Sequence, residues 1–286
     1  MQDMRTLSTR LALGIGTLAL VGCQALPSHS TLTTTAWLPL LQRTAPAPVL
    51  LLGEQHDAAE HQRWQQDTVT ALAQRQQLAA LVLEMADSGH STQGLPPSAT
   101  EAEVQHALQW KDKGWPWKAY GPVVMAAVQA GVPVWGGNLP RSQMRAVMQQ
   151  PQWDTHLPPA AWEQQRKAIR TGHCDLLPES QITPMARIQL AKDASMAQVT
   201  QAHIQADKTV VLIAGRGHVL RSVGVPTWLP AHAPHTIAIG QAGDQAQEAA
   251  SERDYVVRTP AIAAKGHCAA LRAQWGSTAS TPKHKP

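Results

Sequence analysis

The chain has 286 residues and a formal net charge of +4, from 24 lysines and arginines against 20 aspartates and glutamates. This charge is mild, and the sequence holds no basic run of the kind that nucleic-acid binding requires, so no nucleic-acid partner is expected. The composition includes ten tryptophans and no phenylalanine, which makes tryptophan the main source of large flat apolar surface.

The N-terminus has the features of a lipoprotein signal. Arg5 and Arg10 precede an apolar run of about a dozen residues, which is too short to span a bilayer as a mature helix. The run ends in the sequence LVGC at residues 20–23, which resembles a bacterial lipobox. We therefore expect residues 1–22 to be a signal peptide and Cys23 to be acylated. The alternative is an ordinary cleavage site with an incidental cysteine.

The residues after this cysteine predict where the protein is anchored. Gln24, rather than aspartate, follows Cys23, as in lipoproteins that are sorted to the outer membrane of Gram-negative bacteria. Residues 23–45 are predicted to be the acylated cysteine and a tether, because the stretch to about Ala36 is rich in serine and threonine and almost uncharged. The expected location is the outer membrane, with a lipid anchor and the folded part facing the periplasm.

The remaining cysteines are Cys174 and Cys268. In an oxidising periplasm we expect them to pair as a disulfide, which would fix the C-terminal segment to the middle of the domain. The alternative is two unrelated buried thiols, because sequence spacing alone does not show that two cysteines lie close together.

From residue 46 onwards, strand and helix patterns alternate. Residues 57–60 and 98–101 each fit a helix cap, and Thr183-Pro184 fits the first turn of a long helix that runs to about residue 205. Other helices are predicted near residues 101–110, 117–130, 140–150 and 268–275, with a further start at Pro158-Pro159. Predicted strands occupy residues 49–53, 78–85, 132–137, 209–214, 235–239 and 255–257.

Near-continuous apolar strands that alternate with helices are typical of parallel sheets. The predicted fold is therefore α/β, with a mostly parallel sheet covered by helices on both faces. No internal repeat or linker follows the tether, so we expect one domain over residues 46–275 with a helical insertion at about 140–206. Residues 276–286 are expected to be a flexible tail.

Two of the predicted strands end in the same motif. The segments VLLLGEQH and TVVLIAGRGH each run into Gly-x-x-His, and the motifs end at His56 and His218. In a parallel sheet, ligand sites lie beyond the carboxyl ends of the strands. The residues predicted at that edge are Glu54, His56, Glu84, Asn138, Arg216 and His218.

Four of these residues suit a divalent metal or acid–base chemistry: Glu54, His56, Glu84 and His218. They could serve a metal-dependent peptidase or esterase, with the histidines as ligands and a glutamate as base. The alternative is a hydrogen-bonded network that fixes the loops, and spacing does not separate the two. The sequence contains no G-x-S-x-G, P-loop or H-E-x-x-H motif, which removes the main support for other common hydrolases.

A tryptophan-rich segment suggests a different ligand. Trp115, Trp117 and Tyr120 offer two indoles and a phenol within six residues, which suits a flat apolar cofactor with iron at its centre. Ferric iron is a hard ion that a phenolate suits, and only Tyr120 and Tyr255 can supply one in this chain. The alternative is that these aromatic side chains fill the core beside the following helix.

These motifs together resemble a known family. LLLGEQHD, LVLEM, GWPWKAYGPVV, VPVWGGNLPR, GHC and AGRGHVLRSVGVPTWL occur in this order over roughly residues 47–230. The set resembles the ChaN family of haem-binding lipoproteins, which belongs to a superfamily with the Tiki, TraB and erythromycin-esterase-like proteins. The chain has Ala58 where asparagine often follows the aspartate, which changes the expected shape of that turn.

The resemblance implies a haem-uptake accessory at the outer membrane, associated with a haem receptor, with a tyrosine-bound haem at a homodimer interface. Carried onto this sequence, it implies Tyr120 or a histidine as the iron ligand and a tryptophan wall that includes Trp117. The implied contacts to the haem propionates are His56, His218, Arg216, Arg221 and His173. Haem binding without catalysis is thus the leading hypothesis, and the metal-dependent hydrolase and a lipoprotein scaffold that docks a partner are its rivals.

Overall fold

The protein folds around one sheet whose strands are parallel. The computed structural model describes residues 30–43, 47–231, 233–244, 248–263, 266–269 and 271–273. Within these ranges, seven strands pair in the order β1-β7-β6-β2-β5-β3-β4, and every strand pairing is parallel. The strands are β1 (Ser30–Thr33), β2 (Val49–Glu54), β3 (Leu78–Asp87), β4 (Val134–Asn138), β5 (Thr209–Gly215), β6 (His235–Ala242) and β7 (Tyr255–Thr259).

Helices lie against both faces of this sheet. They are α1 (Thr34–Arg43), α2 (Ala59–Gln74), α3 (Glu101–Ala107), α4 (Trp117–Gln129), α5 (Arg141–Val147), α6 (Pro159–Gly172), α7 (Glu179–Ala202) and α8 (Arg216–Val219). Short 3-10 turns occupy residues 151–155, 225–228 and 250–252. The predicted α/β class, the parallel sheet and the helical insertion between β4 and β5 are confirmed.

The apolar strands explain why both faces are covered. Every residue of β2 is buried, and its side chains alternate between the two sides. Leu50 and Leu52 pack in one core with α1, α2 and α4, whereas Leu51 packs in the other core with α7 and α8. A strand that is apolar on both sides is stable only between two layers of helices.

The structure differs from the predicted tether over residues 30–43. Strand β1 pairs with β7 at the edge of the sheet, and α1 places Trp37 in the core with 1% of its surface exposed. The indole Nε1 of Trp37 donates a hydrogen bond to Thr68 Oγ1 at 2.9 Å. A polar, serine- and threonine-rich strand is therefore part of the domain because its backbone pairs with β7, not because of its own apolar pattern.

Several predicted helix starts were wrong by a few residues. The capping box before α3 is formed by Thr100 and Glu103, not by residues 98–101. The N-cap of α2 is Ala58, which makes no side-chain cap hydrogen bond, so α2 begins one residue later than a cap at Asp57 predicts. Helix α7 begins at Glu179, and Pro184 lies inside it. Inside a helix, proline lacks the N–H group that would donate a backbone hydrogen bond. Ile182 and Ala186 pack on either side of Pro184 against α6, and this packing stabilises the helix there.

Cys174 and Cys268 form a disulfide with an S–S distance of 2.01 Å across a sequence separation of 94 residues, which confirms the predicted pair. Cys174 and the following Asp175 both have positive φ, at 56° and 57°. This conformation is uncommon for residues other than glycine, so the turn after α6 is held by its surroundings.

The predicted signal peptide over residues 1–22, the acylated Cys23 and the tail over residues 276–286 lie outside the described residues. Across the described ranges, none of the helices combines the length and the apolar character that a membrane span needs.

Candidate functional site

The side chains predicted at the carboxyl edge of the sheet do gather there. Glu54 is the last residue of β2, Asn138 is the last of β4, and His218 lies in α8 directly after β5. Glu84, in β3, lies between them and is 3% exposed. The parallel arrangement of β2, β5, β3 and β4 brings these residues to one edge, because all four strands end on the same side.

His56 lies between two carboxylates. Its Nδ1 is 2.7 Å from Glu54 Oε1, and its Nε2 is 3.7 Å from Glu84 Oε2. The Tyr120 hydroxyl donates a hydrogen bond to the same Glu54 oxygen at 2.6 Å. The imidazole is 39% exposed and meets the edge of Trp115 at a ring distance of 4.7 Å. His56 is thus the member of the group that faces solvent.

His218 also lies between two carboxylates, but only 13% of its side chain is exposed. Its Nε2 is 3.3 Å from Glu84 Oε1, and its Nδ1 is 2.5 Å from Asp193 Oδ1. Glu84 therefore links the two histidines of the Gly-x-x-His motifs through its two oxygens. We call the resulting series the acid–histidine chain, and its members in order are Tyr120, Glu54, His56, Glu84, His218 and Asp193.

Burial and charge act in opposite directions on the inner members of this chain. Burial alone would lower the pKa of His218, but Glu84 and Asp193 outweigh it and raise the pKa to about 10. Burial alone would raise the pKa of Glu84, yet His218, His56 and Lys192 hold that pKa well below its usual range. Burial raises the pKa of Asp193 to about 6, and His218 offsets only part of the increase. At neutral pH the three residues form a buried ionic triad.

Burial and neighbouring charges also set the pKa values of His56 and Tyr120, the outer members of this chain. Burial opposes the charged form of His56, but the hydrogen bond to Glu54 and the charge of Glu84 raise its pKa overall. Burial, followed by the charge of Glu54, raises the pKa of the Tyr120 phenol far above its usual range. Tyr120 is therefore a neutral donor that is 1% exposed, and both nitrogens of His56 face carboxylates.

Gly215 allows this close packing. Its N–H donates a hydrogen bond to Glu84 Oε2 at 2.7 Å. A Cβ atom at this position would lie 2.8 Å from His56 Nε2, closer than ordinary contacts allow. The glycine of the second Gly-x-x-His motif thus leaves room for the histidine of the first.

Three further side chains support the site. Asn138 Nδ2 donates to the Glu84 carbonyl oxygen at 2.8 Å, and Gln62 Nε2 donates to the His56 carbonyl oxygen at 3.1 Å. The Lys192 ammonium is 4.0 Å from Glu84 Oε1. These contacts fix the loop that carries His56 and the end of β3 that carries Glu84.

The sequence prediction missed Asp193 and Lys192, which the helical insertion supplies. A signal for the aspartate exists in the pattern of α7. Its buried stripe contains Ala186, Leu190, Asp193, Ala197 and Thr200, at alternating spacings of four and three residues. A carboxylate in such a stripe must be paired, although the pattern does not say with which residue.

Several predicted haem contacts lie elsewhere. Arg216 directly follows β5, and its side chain is 3.8 Å from Glu248. Arg221 bonds Asp254 at 2.7 Å and lies beside His235, the first residue of β6. Trp117 is 9% exposed and packs in the core, where its Nε1 donates to Glu101 Oε2 at 2.6 Å. The structure therefore does not bring these three residues to the acid–histidine chain.

His173 lies on the wall of a separate cavity of about 240 Å³ between α6, α7 and α8. Its Nδ1 is 2.8 Å from the carbonyl oxygen of Ile169, one turn earlier in α6. His218 lines the same cavity from the other side. This cavity is the point at which the helical insertion meets the acid–histidine chain.

In the described part of the chain, no three side chains of histidine, cysteine, aspartate or glutamate are arranged to hold a metal ion. Both His56 and His218 direct Nε2 towards Glu84, and Glu84 already accepts the Gly215 N–H. The arrangement is a series of side chains joined partly by hydrogen bonds and partly by ion pairs.

Comparison with known proteins assigns the family. The family model described as haem-binding uptake, Tiki superfamily, ChaN matches residues 40–229. The chain belongs to this family. The match covers the sheet from β2 to β5 and the whole helical insertion, and it confirms the resemblance that the sequence motifs indicated.

A structure described as cofacial haem binding to ChaN of Campylobacter jejuni is similar to this ChaN-family chain. The TM-score is 0.65 at 25% identity, over 79% of this chain and 94% of that chain. The type III effector HopBA1 gives a TM-score of 0.46 at 14% identity over 80% and 94%, and a Bacillus cereus protein gives 0.33 at 16% over 75% and 72%. A search of curated proteins finds no match.

Proposed function

We propose that this ChaN-family chain binds haem and assists the uptake of haem iron, as a lipoprotein anchored in the outer membrane and facing the periplasm. The observation that carries the proposal is family membership over residues 40–229. The similarity to ChaN of Campylobacter jejuni, which is described as binding haem cofacially, supports it. Haem receptors and a second copy of the chain are the partners that this function would require.

The side chains present are compatible with haem. A haem site needs an axial ligand to the iron and apolar surface for the porphyrin. The chain offers histidine nitrogens, the Tyr120 phenol and the indole of Trp115. A groove of about 460 Å³ between α2 and α4 is lined half by alanine and proline and half by polar side chains, which are Gln62, Arg63, Gln66 and Lys118. When bound, the haem would supply the iron that is carried.

Ligation by Tyr120 stays a prediction, as do propionate contacts from His56, His218, Arg216 and Arg221. For Tyr120 to bind iron, its phenol would have to leave Glu54 Oε1 and become accessible from a site that is 1% exposed. Tyr120→Phe is therefore an informative variant in a haem titration, because this substitution removes the phenol oxygen and leaves the packed ring in place.

Haem binding is tested by titrating the full-length protein, purified in detergent, with hemin. We expect a saturable Soret shift with a stoichiometry of about one haem per chain. Serum albumin serves as a positive control, and an unrelated detergent-solubilised lipoprotein serves as a negative one. A shift that does not saturate, or that equals the shift of the unrelated lipoprotein, would contradict the proposal.

Membrane anchoring is tested at Cys23. Replacement by serine removes the thiol that would carry the lipid, so we expect Cys23→Ser to move the protein from the membrane fraction to the soluble periplasmic fraction. Ser28→Ala, in the same segment, serves as a matched control that should stay with the membrane. Equal distribution of Cys23→Ser and wild-type protein would show that the anchor is not at this cysteine.

The metal-dependent hydrolase remains the alternative from a different class. What favours it is the placement of Glu84 between His56 and His218 at the edge of the sheet. A divalent ion there would have to displace the Gly215 N–H bond and the ion pairs that Glu84 now makes. Stoichiometric rebinding of a metal by chelator-treated protein, together with peptide or ester hydrolysis, would separate this function from haem carriage.

A further inference from the structure

A cavity of about 580 Å³ lies between α5, the 3-10 turn at residues 151–155 and α7. Ser88 directly follows β3, Leu139 directly follows β4, and both residues line this cavity. In parallel α/β sheets, ligands bind in crevices beyond the carboxyl ends of the strands. Small-molecule sites in proteins usually measure roughly 300 to 1,000 Å³. The cavity therefore has both the position and the size of a small-molecule site.

The lining of this cavity is polar but carries no charge. Its polar groups are three serine hydroxyls and three glutamine amides, from Ser88, Ser142, Ser195, Gln143, Gln150 and Gln198. The indole of Trp153 lines it as well, and the other lining side chains are alanine, valine and leucine. None of the described lining residues is an aspartate, glutamate, lysine, arginine or histidine. A charged ligand would lose hydration here without gaining an opposite charge, so the lining favours an uncharged ligand.

The hydrogen-bonding groups of the cavity match those of an alcohol. A hydroxyl and a primary amide can each donate and accept hydrogen bonds. Ser195 Oγ donates to the Gly137 carbonyl oxygen at 2.8 Å, and Gln150 Oε1 accepts from Trp153 Nε1 at 2.9 Å. The Ser195 lone pairs and the Gln150 amide N–H groups remain for a ligand. Because every hydroxyl of a sugar also donates and accepts, a saccharide can pair with all of these groups.

The indole of Trp153 adds a flat apolar surface with a fixed orientation. Its Nε1 is bonded to Gln150, and its ring meets the edge of Trp228 at a centroid distance of 5.7 Å. Sugar rings have C–H groups on their faces and hydroxyls at their rim. The faces pack on aromatic surface, and the rim needs neutral hydrogen-bonding partners. One indole with neutral hydroxyls and amides is the combination that recognises a saccharide.

An ion pair holds the three walls of the cavity together. Arg187 of α7 bonds both carboxylate oxygens of Asp154 in the 3-10 turn, at 2.7 and 2.6 Å. Its Nη1 also donates to the carbonyl oxygen of Met148, at the end of α5, at 2.8 Å. Two-pronged contacts of this kind between arginine and a carboxylate are strong and directional. The cavity is thus formed before a ligand arrives, which lowers the cost of ordering it on binding.

Helix α7 separates this cavity from the acid–histidine chain. The cavity is lined by Ala191, Ala194, Ser195 and Gln198, which share one side of the helix at spacings of three, one and three residues. Asp193 lies on another side, where it pairs with His218. None of the six members of the acid–histidine chain lines the cavity. The two sites can therefore be changed independently.

We infer that the cavity between α5, the 3-10 turn and α7 binds an uncharged saccharide of one or two rings. The indole of Trp153 packs on a sugar face, and the serine and glutamine side chains bond its hydroxyls. This binding goes beyond the proposed haem function and does not depend on it.

The test titrates the full-length protein, in a detergent without a sugar headgroup, with maltose and with N,N′-diacetylchitobiose, followed by calorimetry and saturation-transfer NMR. We expect saturable binding of at least one of them, with a dissociation constant on the order of 1 mM or below. The better ligand shows whether plain or N-acetylated sugars are preferred. N-acetylglucosamine should bind more tightly than N-acetylglucosamine 6-phosphate, because the lining offers no cation to the phosphate.

Two variants tie the binding to this cavity. Ala146 lines it and is exposed on α5, so Ala146→Trp should fill the space and weaken binding at least about tenfold. Ala102→Trp, on the exposed side of α3, is the matched control and should bind as the wild type does. The double variant Gln143→Ala, Gln198→Ala removes two amides from exposed positions and should weaken binding at least about fivefold.

Three results would overturn the inference. The first is the absence of saturable binding of either disaccharide to the wild-type protein. The second is binding that both cavity variants leave unchanged, since the sugar would then lie elsewhere. The third is tight binding of an uncharged peptide, such as an acetylated and amidated dialanine, with no binding of a saccharide. Circular dichroism of each variant checks the fold, and if Ala146→Trp does not fold, the double glutamine variant decides.

Discussion

Replacing His218 by alanine is expected to lower the free energy of unfolding by about 3 to 5 kcal/mol at pH 7. The substitution leaves Glu84 and Asp193 buried without the imidazolium that pairs with both of them. Urea denaturation measures the loss. His106→Ala, on the exposed side of α3, is the matched control and should stay within about 0.5 kcal/mol of wild type.

The contribution of His218 to the free energy of unfolding should depend on pH. The pKa of His218 is about 10 in the folded protein, above the ordinary 6.5. The stabilisation that its protonation provides is therefore complete below about pH 6.5 and is lost as the pH rises through about 10. The difference in unfolding free energy between wild type and His218→Ala should narrow from pH 7 to pH 10. A constant difference over that range would show that His218 is not held as an imidazolium.

A double variant tests whether His218 stabilises the fold through its charge pair with Asp193 or only through packing. Adding Asp193→Asn to His218→Ala removes one of the two carboxylates left without a partner, so part of the lost stability should return. Losses that simply add would mean that the two side chains do not interact. Residues in a shared charge network normally show non-additive effects of about 0.5 to 3 kcal/mol.

Removing the Cys174–Cys268 disulfide should lower the free energy of unfolding about as much as His218→Ala does. In the Cys174→Ala, Cys268→Ala variant the unfolded chain regains the freedom of a 94-residue loop, for which the chain-entropy relation gives about 4 to 5 kcal/mol. We expect a loss of about 3 to 5 kcal/mol in urea denaturation under oxidising conditions.

Reductant provides the control for this second prediction. Dithiothreitol should destabilise the wild-type protein by a similar amount and leave the double-alanine variant unchanged, because that variant has no bond to reduce. A loss below about 1 kcal/mol in both comparisons would contradict the expected contribution of the Cys174–Cys268 bond.

The central strands and their ends could be predicted because their signal is local. Strands β2 and β5 are apolar throughout, and the rule that ligands lie beyond the carboxyl ends of parallel strands identified Glu54 and Glu84 as neighbours. The disulfide was also predictable, since the expected oxidising compartment left two cysteines to pair. The strands have their physical cause in their own residues, whereas the disulfide prediction depended on the number of cysteines and on the expected compartment.

The rest depends on contacts between distant segments. Strand β1 has no apolar run of its own and exists through pairing with β7, more than 200 residues later. The hydrogen bond from Tyr120 to Glu54 joins residues that are 66 positions apart. Asp193 reaches His218 only because α7 lies over the sheet edge. No local pattern determines these distances, so the sequence named the carboxyl edge but not the full acid–histidine chain.

The Cys174–Cys268 bond also makes the turn after α6 sensitive to the redox state of its surroundings. Disulfides persist in oxidising compartments and are kept reduced in the cytosol. In an oxidising compartment the turn after α6 is covalently tied to the C-terminal segment, whereas in a reducing one it would keep only contacts such as that between His267 Nε2 and the Gly172 carbonyl oxygen. The same chain would therefore hold its C-terminal segment firmly under oxidising conditions and loosely under reducing ones.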